Sequence, residues 1–444
     1  MTDKHAGLEA RKLDKFRALV RHANAHSPYY ASIIHERAIN IDTCVPSDFP
    51  VLTKSLLMAN FDAIVTDRRI TRQVVTDFLA RSSDPRNRLF DEITVTRSSG
   101  TSGEIGYFLY TPADFKRMNE GKRRSVRALL GFLRGRRKPL SRISVAFYGA
   151  TGGHYGGVTS LVNLQRGFLH LLVRTGAFEV NTPLLQVVEA LNKFQPDVLL
   201  GYTTALKMLA GEQRAGRLKI SPIAVIASGE VTTSGDTTLL SQTFTRAWTL
   251  NAYACSEHLG MGYSNPDGDT MTLADENLIF ELYDDHTVVT NLFNFTMPMI
   301  RYRMSDILVP VSPPGAHPIV IKTVVGRSEQ MPTFRNSAGA TDFLNSHTIG
   351  VIFVKGVTRF QMQITGPESF RFPFCVEDGM DEQERATATA SVRARLTEIL
   401  MQKGLGNVTF ETPIVEDIAV NARTRKFQLI VDQQKRPGEP DEAS

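Results

Sequence analysis

The chain has 444 residues, 42% of them hydrophobic and 22% charged, with a formal net charge of +5. That length supports a large buried core and two or three domains, while the lack of any apolar run near the length of a bilayer crossing excludes a transmembrane helix. Three scattered cysteines, Cys44, Cys255 and Cys375, are a poor disulfide framework, and Met1 opens a charged segment, so a reducing cytoplasm is the expected setting.

Residues 8–37 carry helical periodicity through Leu8, Leu13, Phe16, Leu19 and Val20, and a connecting loop follows from Pro46 to Thr53. From residue 93 onward, short β-rich runs alternate with amphipathic helices: Ile143–Tyr148, helix Leu184–Phe194, Val198–Leu200, helix Thr203–Ala215 and Ile223–Ala227. This alternation predicts a layered α/β sheet. After Asn251 the pattern turns to strands, at Leu278–Leu282, Thr287–Asn291, Met299–Tyr302, Val309–Val311 and Ile319–Val325, which predicts a β-rich subdomain. Beyond Gly326 a smaller α+β unit is expected, with a strand at Arg359–Ile364, a helix at Asp381–Gln402 and strands near Val408–Glu411 and Phe427–Val431. Residues 434–444 form a polar tail for which disorder is expected.

Residues 97–106, Arg-Ser-Ser-Gly-Thr-Ser-Gly-Glu-Ile-Gly, leave a β-like run at Ile93–Thr96. Glycines let backbone N–H groups approach an anion, and Ser98, Ser99, Thr101 and Ser102 add hydroxyl donors. Read alone, the run fits either a surface turn or a phosphate cradle. It lacks the Lys-Ser/Thr pair of a Walker A loop, since Gly103 precedes Glu104 and Gly106 precedes Tyr107. Basic residues cluster at Lys122–Arg124 and Arg134–Lys138, a pattern that fits a solvated helix and loop. An acyl carrier protein would suit such a patch, whereas nucleic acid is disfavoured because no stacking aromatics are interleaved.

Further segments follow in order: Ser228-Gly229-Glu230, Tyr253-Ala254-Cys255-Ser256-Glu257, Ile300-Arg301-Tyr302-Arg303-Met304-Ser305-Asp306, Gly326-Arg327-Ser328, and Lys426 in a late basic run. With the Ser/Gly loop they resemble the adenylate-forming (acyl-CoA synthetase) superfamily, and within it the phenylacetate-CoA ligase-like branch. Phe49–Lys54, Gln195–Tyr202 and Val288–Leu292 look like that branch's connecting blocks.

The resemblance implies a large N-terminal adenylation domain (1–327) of layered α/β form with a β-rich subdomain. A small mobile α+β domain (328–433), hinged near Ser328-Glu329, would follow it. It implies ATP and Mg²⁺, with coenzyme A as a candidate acceptor. Ser98, Ser99, Gly100, Thr101, Ser102 and Gly103 would hold the β- and γ-phosphates, and Glu257 would bind Mg²⁺. Ser256 would contact the α-phosphate, Asp306 and Arg327 the ribose, and Ser228, Gly229, Glu230 and Tyr253 the adenine. Lys426 would be the catalytic lysine. Tyr148, His154 and Tyr202 are candidates for the acid pocket, although a turn histidine needs no such role.

The expected activity is ATP-dependent adenylation of a small, aromatic carboxylic acid and transfer of the acyl group to a thiol, of CoA or an acyl carrier protein, or to an amine. The sequence departs from the family pattern at Glu104, where a lysine is usual, and at Phe334–Gly339, where relatives carry an Arg-Gly loop. These departures leave open a catalytically degenerate, nucleotide- or partner-binding protein, and the basic runs leave open an interaction protein. Cys255 and His258 form C-x-x-H, but a zinc site needs further ligands that the sequence does not supply nearby.

Overall fold

The computed structural model describes residues 2–98, 105–121, 142–164, 172–230, 232–265, 270–304, 306–322, 332–344, 349, 352, 354, 356–377, 379–418 and 429–433. Ser99–Glu104, both basic runs, Ser305, Arg327, Ser328, Glu329, Lys426 and the tail lie outside them.

The architecture is α/β, as the alternating pattern predicts. An eight-stranded sheet runs in the order Val320–Lys322, Thr270–Leu273, Leu259–Ser264, Trp248–Cys255, Ala224–Ser228, Val198–Gly201, Ile143–Gly149, Val173–Glu179. The last five are parallel neighbours and the first three add antiparallel. Parallel strands covered on both faces need apolar residues in succession, and Ala146, Phe147, Leu199, Val225 and Ala227 are buried, as are Leu184, Val187, Val188 and Leu191 of the helix Leu184–Phe194 laid on the sheet.

Strand order fixes where a ligand fits. The chain leaves Ile143–Gly149 for one side, toward Val173–Glu179, and leaves Val198–Gly201 for the other, toward Ala224–Ser228. The two connections part at this switch point, next to the turn Ala150–Tyr155 and Tyr202, and open α/β sheets carry their ligand crevice beyond the strand ends at such a point.

A second core joins the N-terminal helices to the β-rich part. Residues 8–37 form not one helix but two, Thr2–His26 and Pro28–Glu36, because Pro28 cannot donate a backbone bond and begins the second helix at its first position. Phe16, Leu19, Val20 and Ala23 are fully buried against Leu278, Val289, Phe293 and Met299. The Tyr30 hydroxyl fastens the junction, donating to Pro298 O at 3.0 Å and accepting from Ile300 N at 3.2 Å. Strands Leu278–Leu282 and Thr287–Asn291 match expectation, but the third strand is Tyr302–Met304 rather than Met299–Tyr302, since Arg301 takes a positive φ of 53°.

The C-terminal unit has its own core. A four-stranded sheet, Thr409–Glu411, Ser369–Arg371, Met362–Gly366 and Ile430–Asp432 in spatial order, is covered by the helix Glu382–Lys403. That helix buries Ala388, Val392, Leu396, Ile399, Leu400 and Lys403, a stripe at helical spacing. It starts with an Asp381–Glu384 capping box and stops at Gly404, whose φ of 76° favours glycine. Among the described residues no helix is long and apolar enough to cross a membrane.

Candidate functional site

Two strands deliver the ends of the Ser/Gly loop to one place. Thr94–Arg97 pairs antiparallel with Tyr107–Tyr110, and Ser98 closes the neck: its N donates to Gly106 O at 2.9 Å, while Gly106 N donates to Ser98 Oγ at 2.8 Å. A Cβ at Gly106 would lie 2.8 Å from the Phe108 ring, so glycine is needed at this position.

The same hairpin holds the Ser256-Glu257 segment. Ser256 Oγ donates to Arg97 O at 2.8 Å and Thr96 Oγ1 donates to Ser256 O at 3.1 Å. The buried Tyr110 hydroxyl lies 2.9 Å from Ser256 O and 2.6 Å from Glu257 O, sharing one proton between two carbonyls. The neck of the loop and the Ser256-Glu257 segment are therefore held by one hairpin.

Lys54 joins them, and no motif reading had singled it out for the site. Its ammonium donates to Ser98 Oγ at 3.3 Å and stands 3.8 Å from Glu257 Oε1. Delivery is through the backbone: Leu52 N donates to Arg301 O and Arg303 N to Leu52 O, both at 2.9 Å. Arg301 is braced in turn by both Glu281 oxygens, at 2.9 and 2.7 Å, and donates to Phe49 O at 2.9 Å. The arginine of the Ile300–Asp306 segment is thus a structural strut, and Lys54 opens the helix Lys54–Ala59 behind its N-cap Thr53. The signal that could have found it was the Thr53-Lys54 pair at the end of a block that already matched.

Tyr253 and Asp306 are brought together, with the phenol donating to Oδ2 at 2.7 Å. Ser228 ends its strand and Gly229 turns the chain with φ of 82°. Glu230 Oε2 accepts from Thr204 N and Thr204 Oγ1, both at 2.9 Å, so this carboxylate caps the helix Thr203–Arg214 beside the switch point.

At the switch point Tyr148 and Tyr202 are buried, and burial raises both phenol pKa values above the ordinary range. The Tyr148 hydroxyl has no partner among the described residues. His154 is 1% exposed and packs 5.1 Å from the Phe78 ring. Burial lowers its pKa, so it is a buried neutral ring whose Nε2 finds no described partner. The turn that carries it is held by Glu179, whose Oε2 accepts from Thr151 N at 2.7 Å, Thr151 Oγ1 at 2.6 Å and Gly152 N at 3.1 Å.

In the C-x-x-H pair His258 is buried and Cys255 partly buried, and Cys255 Sγ accepts from His258 N at 3.3 Å. Burial pushes the Cys255 thiol well up, with Glu257 adding to the shift, and Sγ contacts Met261 Sδ at 3.4 Å. No group of three or more His, Cys, Asp or Glu side chains able to hold a metal exists among the described residues.

His258 carries a different consequence. Burial takes its pKa from 6.5 down to about 3. Below pH 6.5 the unfolded chain binds a proton that the folded chain refuses, so stability falls as pH drops through that window and returns as pH rises. Between about pH 6.5 and 5 the loss from this one group is about 1.5 kcal/mol. Denaturant titrations at the two pH values should show a smaller acid loss in His258→Gln than in the parent.

No family profile matches the chain. The curated "Protein CapK" of Staphylococcus aureus is 23% identical over 365 residues, 76% of this chain and 69% of that protein. Among solved structures, 2-hydroxyisobutyryl-CoA ligase in complex with 2-HIB-AMP and CoA in the thioesterification state aligns over 96% of this chain and 90% of its own, at 17% identity and a TM-score of 0.55. The same ligase in the postadenylation state with 2-HIB-AMP aligns over 95% and 89%, at 16% identity and a TM-score of 0.53. The large N-terminal α/β unit with its β-rich part and the small C-terminal α+β unit therefore share the fold of this solved ligase.

Proposed function

We propose that this chain is an ATP-dependent ligase of the phenylacetate-CoA ligase-like branch that converts a small aromatic carboxylic acid to its acyl-adenylate and passes the acyl group on. The observation that carries the reading is the convergence of Lys54, the neck of the Ser/Gly loop at Ser98 and Glu257 on one spot, beside the Tyr253–Asp306 pair.

Adenylation joins an acid oxygen to the α-phosphate and expels pyrophosphate, so charge gathers where phosphate meets carboxylate and on the leaving group. Lys54 supplies positive charge where Ser98 and the loop residues Ser99, Gly100, Thr101, Ser102 and Gly103 would hold the β- and γ-phosphates. Ser256, whose hydroxyl proton rests on Arg97 O, would turn that proton to the α-phosphate. Asp306 would take the ribose hydroxyls with Arg327, and Ser228, Gly229, Glu230 and Tyr253 would frame the base. Lys426 would neutralise charge from the C-terminal unit. Residues 1–327 and 328–433 form the two domains of this reading.

Magnesium fits the donor set: Mg²⁺ keeps several waters and takes one or two carboxylates plus phosphate oxygens, and Glu257 offers one hard carboxylate. When bound, the ion would offset phosphate charge. Tyr148, Tyr202 and the His154 turn would border the acid site, and the buried Tyr148 hydroxyl, without a partner among the described residues, would donate to a substrate that reached it. The acceptor is a thiol, of coenzyme A or of a carrier protein drawn to the basic runs, or an amine.

ATP–pyrophosphate exchange against a panel of aryl, fatty and amino acids tests the reading. Exchange with aryl acids above the others is expected, and no exchange with any acid would overturn it.

A further inference from the structure

Lys403 ends the helix Glu382–Lys403 and is 1% exposed. An ammonium placed there without partners would be strongly unfavourable, so its three protons must be used. Nζ stands 3.2 Å from Asp342 Oδ1 and donates to Val180 O at 2.7 Å and Thr182 O at 3.1 Å, with the Phe343 ring centroid 4.4 Å away. Two of these acceptors are main chain of the large unit, just past the strand Val173–Glu179.

Asp342 faces the same backbone with the opposite sign. Its Oδ2 accepts from Leu184 N at 3.3 Å, and Oδ1 accepts from its neighbour Phe343 N at 2.8 Å. The helix Leu184–Phe194 begins behind Pro183, has no side-chain cap and carries no acidic residue in its first turn. Asp342 therefore gives this helix, from elsewhere in the chain, the negative group its own sequence omits. The hairpin bearing Asp342 spans both units: Phe334 is buried in the C-terminal core and Phe343 in the core of the large sheet.

The gripped loop also leads to the switch point. Val180 N donates to Gly149 O at 2.9 Å, and the adjacent Glu179 holds the Thr151 and Gly152 amides. We propose that Lys403 and Asp342 are positioning residues, a charged plug that docks the C-terminal unit onto residues 180–184 and thereby fixes the turn Gly149–Gly152 of the proposed acid site. Among the described residues the pair's hydrogen bonds to the large unit all go to backbone groups, which water satisfies when the plug withdraws, and the two charges leave together. Docking is thus reversible without stranding a buried charge on the large unit. The link to substrate rests on the proposed function, while the docking contact does not.

The test is hydrogen exchange on the full-length chain, with no substrate present, for the parent, Lys403→Met, Asp342→Asn and the double variant. Protection of the Leu184, Thr151 and Gly152 amides is expected to fall about tenfold or more in each variant, with strands Val198–Gly201 and Ala224–Ser228 unchanged. X-ray scattering should report a longer maximum dimension. Unchanged protection at Leu184 in the double variant would overturn the plug, as would a uniform loss reaching both central strands. A loss at Leu184 alone, with Thr151 and Gly152 still protected, would overturn the coupling to the acid site. Because nothing in the measurement depends on ATP, a failed exchange assay leaves its outcome intact.

Discussion

Glu257→Gln is expected to lower ATP–pyrophosphate exchange by about 10³-fold and Lys54→Met by about 10²-fold, each with the melting temperature within roughly 2 °C of the parent. Both side chains end at the neck of the Ser/Gly loop, 3.8 Å apart and largely buried, so their charges act in a medium that screens them poorly. Glutamine keeps the volume but removes the anion proposed to attract a divalent ion. Methionine keeps the stem of Lys54 and removes the cation that faces Ser98. Because the two groups serve one phosphate site, the double variant should fall little below Glu257→Gln alone. Raising magnesium should partly restore Glu257→Gln, whose loss lies in metal affinity, but not Lys54→Met, which separates a ligand supplied to metal from a charge supplied to phosphate. A Lys54→Met enzyme within about threefold of the parent would remove Lys54 from the site.

Much of the fold was legible because its signals are periodic. The stripe of the helix Glu382–Lys403 and the apolar face of Leu184–Phe194 repeat at helical spacing, and Leu278–Leu282 and Thr287–Asn291 have the bounds the sequence suggested. The strand Val173–Glu179 was missed because it sits at the sheet edge, only partly buried, and its residues Val-Arg-Thr-Gly-Ala-Phe-Glu carry no continuous apolar run. The unusual segment Phe334–Gly339 proves to be the end of a strand, Phe334 and Arg335, and the turn of its hairpin, where Asn336 Oδ1 accepts from Ala338 N at 3.0 Å and Ala340 N at 2.9 Å. The site was legible only in part. Tyr253 and Asp306 were each named by a motif, in separate roles and without their hydrogen bond, whereas Lys54 and Tyr110 reach Glu257 across some 200 and 150 residues in contacts that no local pattern encodes.

Asp114→Ala should cost about 3 kcal/mol of stability, a fall in melting temperature of roughly 5 °C or more. Asp114 is fully buried, and each of its oxygens is an acceptor for several donors. Oδ2 receives Thr111 N and Thr111 Oγ1, both at 2.7 Å, and the Thr296 hydroxyl. Oδ1 receives Arg117 Nη2 at 2.6 Å and Phe295 N at 2.8 Å. One carboxylate thus closes the first turn of the helix Pro112–Gly121 and ties it to the turn after Asn294, whose amide in turn donates to Leu109 O at 3.0 Å. Removing it strands two backbone N–H groups and leaves the Arg117 guanidinium without its counter-charge. Asparagine should be little better, because its amide puts a donor where only donors arrive. The exposed Asp77→Ala, on the neighbouring helix Arg72–Arg81, should stay within about 0.5 kcal/mol and serves as the control. The loss should reach chemistry too, since the Asp114 network fixes the end of the strand Tyr107–Tyr110, and Tyr110 is the hydroxyl that holds Ser256 and Glu257. Calorimetry together with the magnesium dependence of exchange decides it: a destabilised variant whose magnesium requirement is unchanged would mean that the strand keeps its position without Asp114.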